Sequence, residues 1–164
     1  MIWWLLLTGC APTPTSWITP PGDVSTAVVQ EDGRMLAYVC GNDEATRQVW
    51  SRWFEGSIDR DGFSAEADGW TLDGLVDGDV LELTLRGPSD EARDLTADAE
   101  EAAIYANDET CLDGAIASDG RVDGTWCDLD GVRFQVEPIE TVVLGDTLTL
   151  AVPGGERVFQ RQLP

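Results

Sequence analysis

The sequence predicts an all-β fold, an antiparallel meander that closes as a barrel or stacks as a sandwich, and three observations carry that expectation. Asp-Gly, the dipeptide that supplies the positive φ angles of two-residue hairpin turns, occurs nine times between Asp32 and Gly131. The runs between these turns alternate: Leu81, Leu83 and Leu85 fall on one face, and Glu82, Thr84 and Arg86 on the other. Only Pro88–Glu101 has a helical composition, with Ser89 or Asp90 as cap, and its apolar stripe is thin, enough for one or two turns.

Reading outward from the turns gives the strands in order. Val24–Gln30 and Met35–Cys40 flank Asp32-Gly33, with Leu36, Tyr38 and Cys40 sharing a face. Val49–Ile58 carries Trp50 and Trp53, which are three apart and so point to opposite faces of a regular strand unless a bulge intervenes. Phe63–Ala67 and Trp70–Val76 flank Asp68-Gly69, and Val80–Arg86 follows Asp77-Gly78. Further along come Ala102–Ala106, then Leu112–Ala117 and Val122–Leu129 around Asp119-Gly120, then Val132–Glu137, Thr147–Val152 and Arg157–Gln162. Asp73-Gly74 and Asp123-Gly124 fall inside runs, where they mark a bulge or an unseen boundary. A short repeat, Gly56-Ser57-Ile58-Asp59-Arg60-Asp61-Gly62 against Gly114-Ala115-Ile116-Ala117-Ser118-Asp119-Gly120, points to two related meanders. Closure into barrels would remove the exposed edges of such meanders.

Composition narrows the chemistry. The chain has 164 residues with 31 acidic against 10 basic side chains, a formal charge of −21, and neither lysine nor histidine. Every Ser-His, Cys-His and Ser-Lys arrangement is thereby excluded. A surface this acidic repels phosphate backbones, so nucleic acid is not an expected partner. The 43% hydrophobic content is that of a globular chain with a core.

The N-terminus speaks to location. Met1-Ile2-Trp3-Trp4-Leu5-Leu6-Leu7-Thr8-Gly9-Cys10 is an apolar run that closes on two small residues and a cysteine, far short of the roughly 20 residues of a membrane-spanning helix. Ala11–Gly22 follows with four prolines, and such a segment is expected to stay extended and solvated as a tether. Leu7-Thr8-Gly9-Cys10 resembles the lipobox of bacterial lipoproteins. That resemblance implies a signal peptide over residues 1–9, cleavage before Cys10, acyl chains on Cys10, and attachment to a membrane through that lipid. It divides the chain into the signal, a lipidated cysteine with tether over 10–22, and an acidic all-β domain over 23–164. Because Ala11 is not aspartate, similarity to proteobacterial sorting implies the outer rather than the inner membrane. Leu36-Ala37-Tyr38-Val39-Cys40-Gly41, Trp53-Phe54-Glu55-Gly56 and Ile104-Tyr105 also look similar to small secreted β-domains of high-GC bacteria, a likeness that implies the fold and no mechanism.

With Cys10 lipidated, Cys40, Cys111 and Cys127 remain, and one is left over. Counting from Asp119-Gly120 sets Ala117 opposite Val122 and Leu112 opposite Cys127, so one bulge would join Cys111 to Cys127 and leave Cys40 a quiet buried thiol. Cys40 paired with either of the others is the alternative. Three scattered cysteines without histidine make no zinc set.

Three constellations could carry function. Asp59-Arg60-Asp61-Gly62 and Asp128-Leu129-Asp130-Gly131 share the Asp-x-Asp-Gly core of calcium loops, which makes Asp59, Asp61, Asp128 and Asp130 the candidate ligands. A hairpin turn explains the same residues, and no other cofactor is expected. Paired carboxylates could run glycoside hydrolysis without histidine, but nothing singles out a pair. Trp50, Trp53, Trp70 and Trp126 are candidate ligand-stacking residues, with core packing as the competing role. The expected function is a lipid-anchored, non-enzymatic cell-envelope protein that binds or scaffolds an envelope partner. A calycin-like carrier of a small hydrophobic or saccharide ligand, or a carboxylate-pair hydrolase, is the alternative.

Overall fold

A computed structural model describes residues 15–109, 113–140, 142 and 144–164. The signal segment, Cys10, the prolines at 12 and 14, and Cys111 lie outside the described residues. The all-β expectation holds, in the form of two nearly closed antiparallel barrels.

The first barrel contains β1 (Thr15–Ile18), β2 (Val24–Glu31), β3 (Arg34–Gly41), β4 (Arg52–Ser57), β5 (Gly62–Ala67), β6 (Trp70–Asp77), β7 (Val80–Arg86) and β8 (Ala92–Ala99), with one helix, α1 (Glu44–Trp50), between β3 and β4. Its strand order is β4-β3-β2-β1-β8-β7-β6-β5. The two ends meet at Gly56 of β4, where an added Cβ would sit 3.6 Å from Ala65 Cβ of β5. Inside are Trp17, Val28, Met35, Phe54, Phe63, Trp70, Leu72 and the Leu81, Leu83 and Leu85 face read from the sequence.

The second barrel contains β9 (Ala102–Asn107), β10 (Asp113–Ser118), β11 (Arg121–Cys127), β12 (Arg133–Gln135), β13 (Glu137–Pro138), β14 (Thr147–Val152) and β15 (Gly155–Gln162), in the order β12-β11-β10-β9-β15-β14-β13. One bent segment closes it. Gln135 pairs with Thr125 of β11, Val136 N–H donates to Gly124 O at 3.2 Å, and the next two residues pair with Ala151 and Leu150 of β14. Its core holds Tyr105, Ala115, Ala117, Trp126, Val136, Leu150 and Phe159.

A third apolar cluster joins the barrels. Ile18, Ala27, Val29, Leu36, Tyr38 and Cys40 on the outer face of β1–β3 meet Ala102, Ile104 and Ile116 of β9 and β10. Successive side chains on a strand point to opposite faces, so these strands are buried on both sides and read as nearly continuous apolar runs.

Several expectations are corrected. The stretch read as a helix, Pro88–Glu101, forms β8, because Leu95 and Ala97 alternate with Asp94 and Asp98 and the ladders to β7 and β1 override the helical propensity of Ala and Glu. Ser89 and Asp90, the two proposed caps, sit in the β7–β8 turn, Asp90 at φ 65°. Only Val49 and Trp50 of the predicted strand Val49–Ile58 belong to α1, which Asp43 caps by accepting from Thr46 N–H at 2.9 Å while its own N–H donates to Thr46 Oγ1 at 3.2 Å. The Pro-rich stretch expected to remain a solvated tether supplies β1, held between β2 and β8, because Trp17 and Ile18 find apolar partners on its two faces. The folded part therefore reaches back at least to Thr15. Gly74 and Gly124 mark neither turn nor bulge. Each lies in a regular ladder at a point where a side chain would collide, with Phe63 over Gly74 and Ala115 beside Gly124. The two copies of the short repeat occupy unlike places, since Ile58 points into the first barrel and Ile116 points out of the second.

Candidate functional site

Both barrel interiors are filled by side chains, and two grooves lie outside them, where the barrels meet. One groove of about 130 Å³ runs between β3–β4 and the end of β15, with Arg34, Leu36, Trp53, Glu55 and Ala106 along its walls. A second, of about 460 Å³, lies along the start of β1 beside Val29, Glu100, Ala102 and Arg161. The two share Gln162, Leu163 and Pro164.

The four candidate tryptophans do not form one set. Trp53 lines the smaller groove and packs on Tyr38 with ring centroids 4.7 Å apart. Trp50 and Trp70 meet edge to face at 4.9 Å at the far end of the first barrel, Arg52 lies 4.0 Å over Trp70, and Arg93 lies 5.0 Å over Trp50. Burial pushes the Arg52 guanidinium down to about 10. Trp126 is inside the second barrel, 6.2 Å from Phe134. Trp50 and Trp53 do serve different cores, and the break between α1 and β4 separates them rather than a bulge.

In both Asp-x-Asp-Gly copies the first aspartate caps its own turn, with a different second donor in each. Asp59 Oδ1 accepts from the N–H groups of Asp61 and Gly62 at 2.8 and 3.1 Å, and Asp128 Oδ1 accepts from those of Asp130 and Val132 at 2.9 and 3.0 Å. These are turns closed by their own aspartate. Among the described residues no three acidic or cysteine side chains gather as a cation site.

Sequence reasoning missed the polar contacts between the barrels. Arg121 of β11 donates from Nε to Asp123 Oδ2 at 2.6 Å, from one terminal nitrogen to Thr19 O at 2.6 Å, and from the other to Ser25 Oγ at 2.8 Å. Asn42 Nδ2 completes the group by donating to Ser25 Oγ and to Gly22 O, each at 2.7 Å. Cys40 lies against Asn42, and burial, followed by the Asp123 carboxylate, raises its thiol far above the ordinary range. Nearby, Tyr38 Oη and Thr125 Oγ1 share a hydrogen bond of 2.7 Å across the same contact. Asp113 accepts from Cys127 N–H, and burial pushes its carboxyl up to about 6. At the edge, Gln48 of α1 donates to Arg133 O at 2.9 Å and accepts from Arg133 N–H at 3.3 Å, which pairs α1 to β12. The only hint in the sequence was the placement of a scarce arginine, Arg121, two residues from Asp123 at the head of an otherwise apolar strand.

Cys40 is the free cysteine among the described residues, and Cys127 is not a free thiol. The register Ala117↔Val122 is the one expected from the Asp119-Gly120 turn. No helix among the described residues is long and apolar enough to cross a membrane. No family model matches this chain, and neither the curated proteins nor the solved structures contain a match to it.

Proposed function

We propose that the chain is a lipid-anchored protein of the cell envelope, in the outer rather than the inner membrane, that binds or scaffolds another envelope component and does not catalyse a reaction. The observation that carries the anchor is the Leu7-Thr8-Gly9-Cys10 pattern set five residues ahead of a strand built into the middle of a sheet. A lipid on Cys10 would then hold a rigid body on a short lead. Support for a non-catalytic role comes from the carboxylates: Asp59 and Asp128 are engaged as turn acceptors, and Asp113 is sealed beneath the contact between barrels. Intact mass of the membrane-extracted protein tests the anchor. The expected species runs from Cys10 to Pro164 with added acyl mass, and Cys10→Ser should abolish that addition. A chain that begins at Met1 with an unmodified Cys10 would overturn the reading.

The same measurement tests a Cys111–Cys127 disulfide. Its support is that Cys40 is the free thiol, while β10 begins two residues after Cys111 with Asp113 hydrogen-bonded to Cys127 N–H. A loss of two mass units relative to the reduced chain, with Cys40 alone alkylated after unfolding, is the expected result.

One observation favours a second reading, a carrier of a small apolar or saccharide ligand: Trp53, a stacking candidate from sequence, forms a wall of the smaller groove. Native mass spectrometry of the purified protein should then show an adduct that Trp53→Ala loses.

A further inference from the structure

β1 leaves the first barrel in only one direction. Its edges are laddered to β2 and β8, and Ile18 on its outer face is covered by the second barrel, so the chain before Thr15 departs through the rim where β1 begins. That rim is made of the β2–β3 turn, the β4–β5 connection, the β6–β7 turn and the β8–β9 turn. The pairs Glu31↔Arg34, Arg34↔Ser57 and Asp77↔Val80 and the Glu100 N–H to Ser16 O bond of 3.2 Å fix them all at this end. Its exposed side chains are strongly acidic, with Asp32, Asp59, Asp61, Asp79, Glu100 and Glu101 against Arg34 and Arg60. The opposite rim carries α1 and the Trp50, Trp70, Arg52 and Arg93 stack.

Length decides which rim a lipid on Cys10 can bring to a membrane. Five residues of fully extended chain reach about 18 Å at most. The longest strands of the barrel wall, seven or eight residues each, run about 25 Å, which a tilt of about 40° leaves about 19 Å tall, so a lead that must first turn back over the rim falls short of the far one. We propose that the first barrel stands on its acidic rim against the lipid headgroups, with the α1 rim and its tryptophans and arginines turned away from the membrane. This rests on acylation of Cys10. An anionic lipid surface repels that rim over about one Debye length, roughly 10 Å at 0.1 M salt, so the rim rides close on a zwitterionic surface and lifts to the limit of its lead on an anionic one.

The test uses the acylated protein in phosphatidylcholine vesicles that contain a nitroxide-headgroup lipid, with a fluorophore on Asp32→Cys at the acidic rim or on Asp90→Cys at the far rim. Labelled wild type sets the background from buried Cys40. Quenching at position 32 should exceed that at position 90 severalfold and should fall when phosphatidylglycerol replaces part of the phosphatidylcholine. Insertion of a dozen Gly and Ser residues after Ala11 should equalise the two positions. Equal quenching without the insertion, stronger quenching at position 90, or a contrast that survives the insertion would each overturn the proposal. Intact mass of the same sample reports acylation separately.

Discussion

The two barrels close by different means. The eight-stranded one brings β4 and β5 together by packing at Gly56, and its large interior is filled by Trp17, Phe54, Phe63, Trp70 and the leucines of β7. The seven-stranded one hands a single strand from β11 to β14 at Val136, so hydrogen bonds run through its closure and its core is smaller. A wide barrel can close on side-chain contact because its interior volume is large. The narrow one closes through backbone hydrogen bonds, so its closure at Gly124 leaves no room for an added atom where the seam at Gly56 of the wide one does.

The largest effect expected from that difference is at Gly124. An added Cβ would sit 2.8 Å from both Ala115 Cα and Gly114 O, and backbone atoms cannot move aside cheaply. Gly124→Ala should cost about 3 kcal/mol, a fall of about 6–12 °C in Tm for a domain of this size. Because β1–β3 are buried against both cores, the loss should appear in calorimetry as one transition at lower temperature. Two transitions, with the upper one unmoved, would show that the shared wall does not couple the barrels.

An intermediate effect is expected at Asp113, which lies under the contact between barrels. Burial lifts its folded-state pKa to about 6 from the 3.8 of an exposed aspartate, so the folded state holds the proton harder than the unfolded chain does. The stabilisation this gives is complete below about pH 4 and is lost as pH rises through 6. Asp113→Asn keeps an acceptor for Cys127 N–H and removes the charge. It should therefore match wild type near pH 4 and exceed it at pH 8 by roughly 1–2 kcal/mol, a few degrees in Tm. Equal melting of the two proteins at pH 8 would remove the buried carboxylate from the account.

The smallest effect is expected at the seam of the wide barrel. A Cβ at Gly56 would meet Ala65 Cβ at 3.6 Å, Met35 Sδ at 3.7 Å and Ser64 O at 3.9 Å, all ordinary contacts. Gly56→Ala should change stability by less than about 0.5 kcal/mol in either direction. A loss as large as that of Gly124→Ala would mean that both barrels close with equal strictness.

Much of the fold was legible because its punctuation is local. Asp32-Gly33, Asp68-Gly69 and Asp119-Gly120 turn where a two-residue hairpin requires it, with Gly33, Gly69 and Gly120 at positive φ. What escaped depends on residues distant in sequence. β8 is a strand because β7 and β1 flank it, and nothing within Pro88–Glu101 announces those ladders. β1 hid behind its prolines, although Trp17-Ile18 was an apolar pair in want of cover. The interior glycines looked like turns because the dipeptide signal is blind to a ring such as that of Phe63 lying across a strand. At the site, the sequence could name the tryptophans but not sort them among three cores. Arg121 could be placed only once β1, β2 and β11 were known to meet.

The position of β1 has a consequence for the order in which the chain takes shape. Ser16 hydrogen-bonds to Glu100, 84 residues downstream, through Oγ at 2.7 Å. As the chain leaves the ribosome β1 can borrow β2 at once, yet its other side stays raw until β8, about 75 residues past β1, has followed. Pairings of such long range are slow to form. The newborn chain thus spends its first moments with an open flank that only completion of the eighth strand heals.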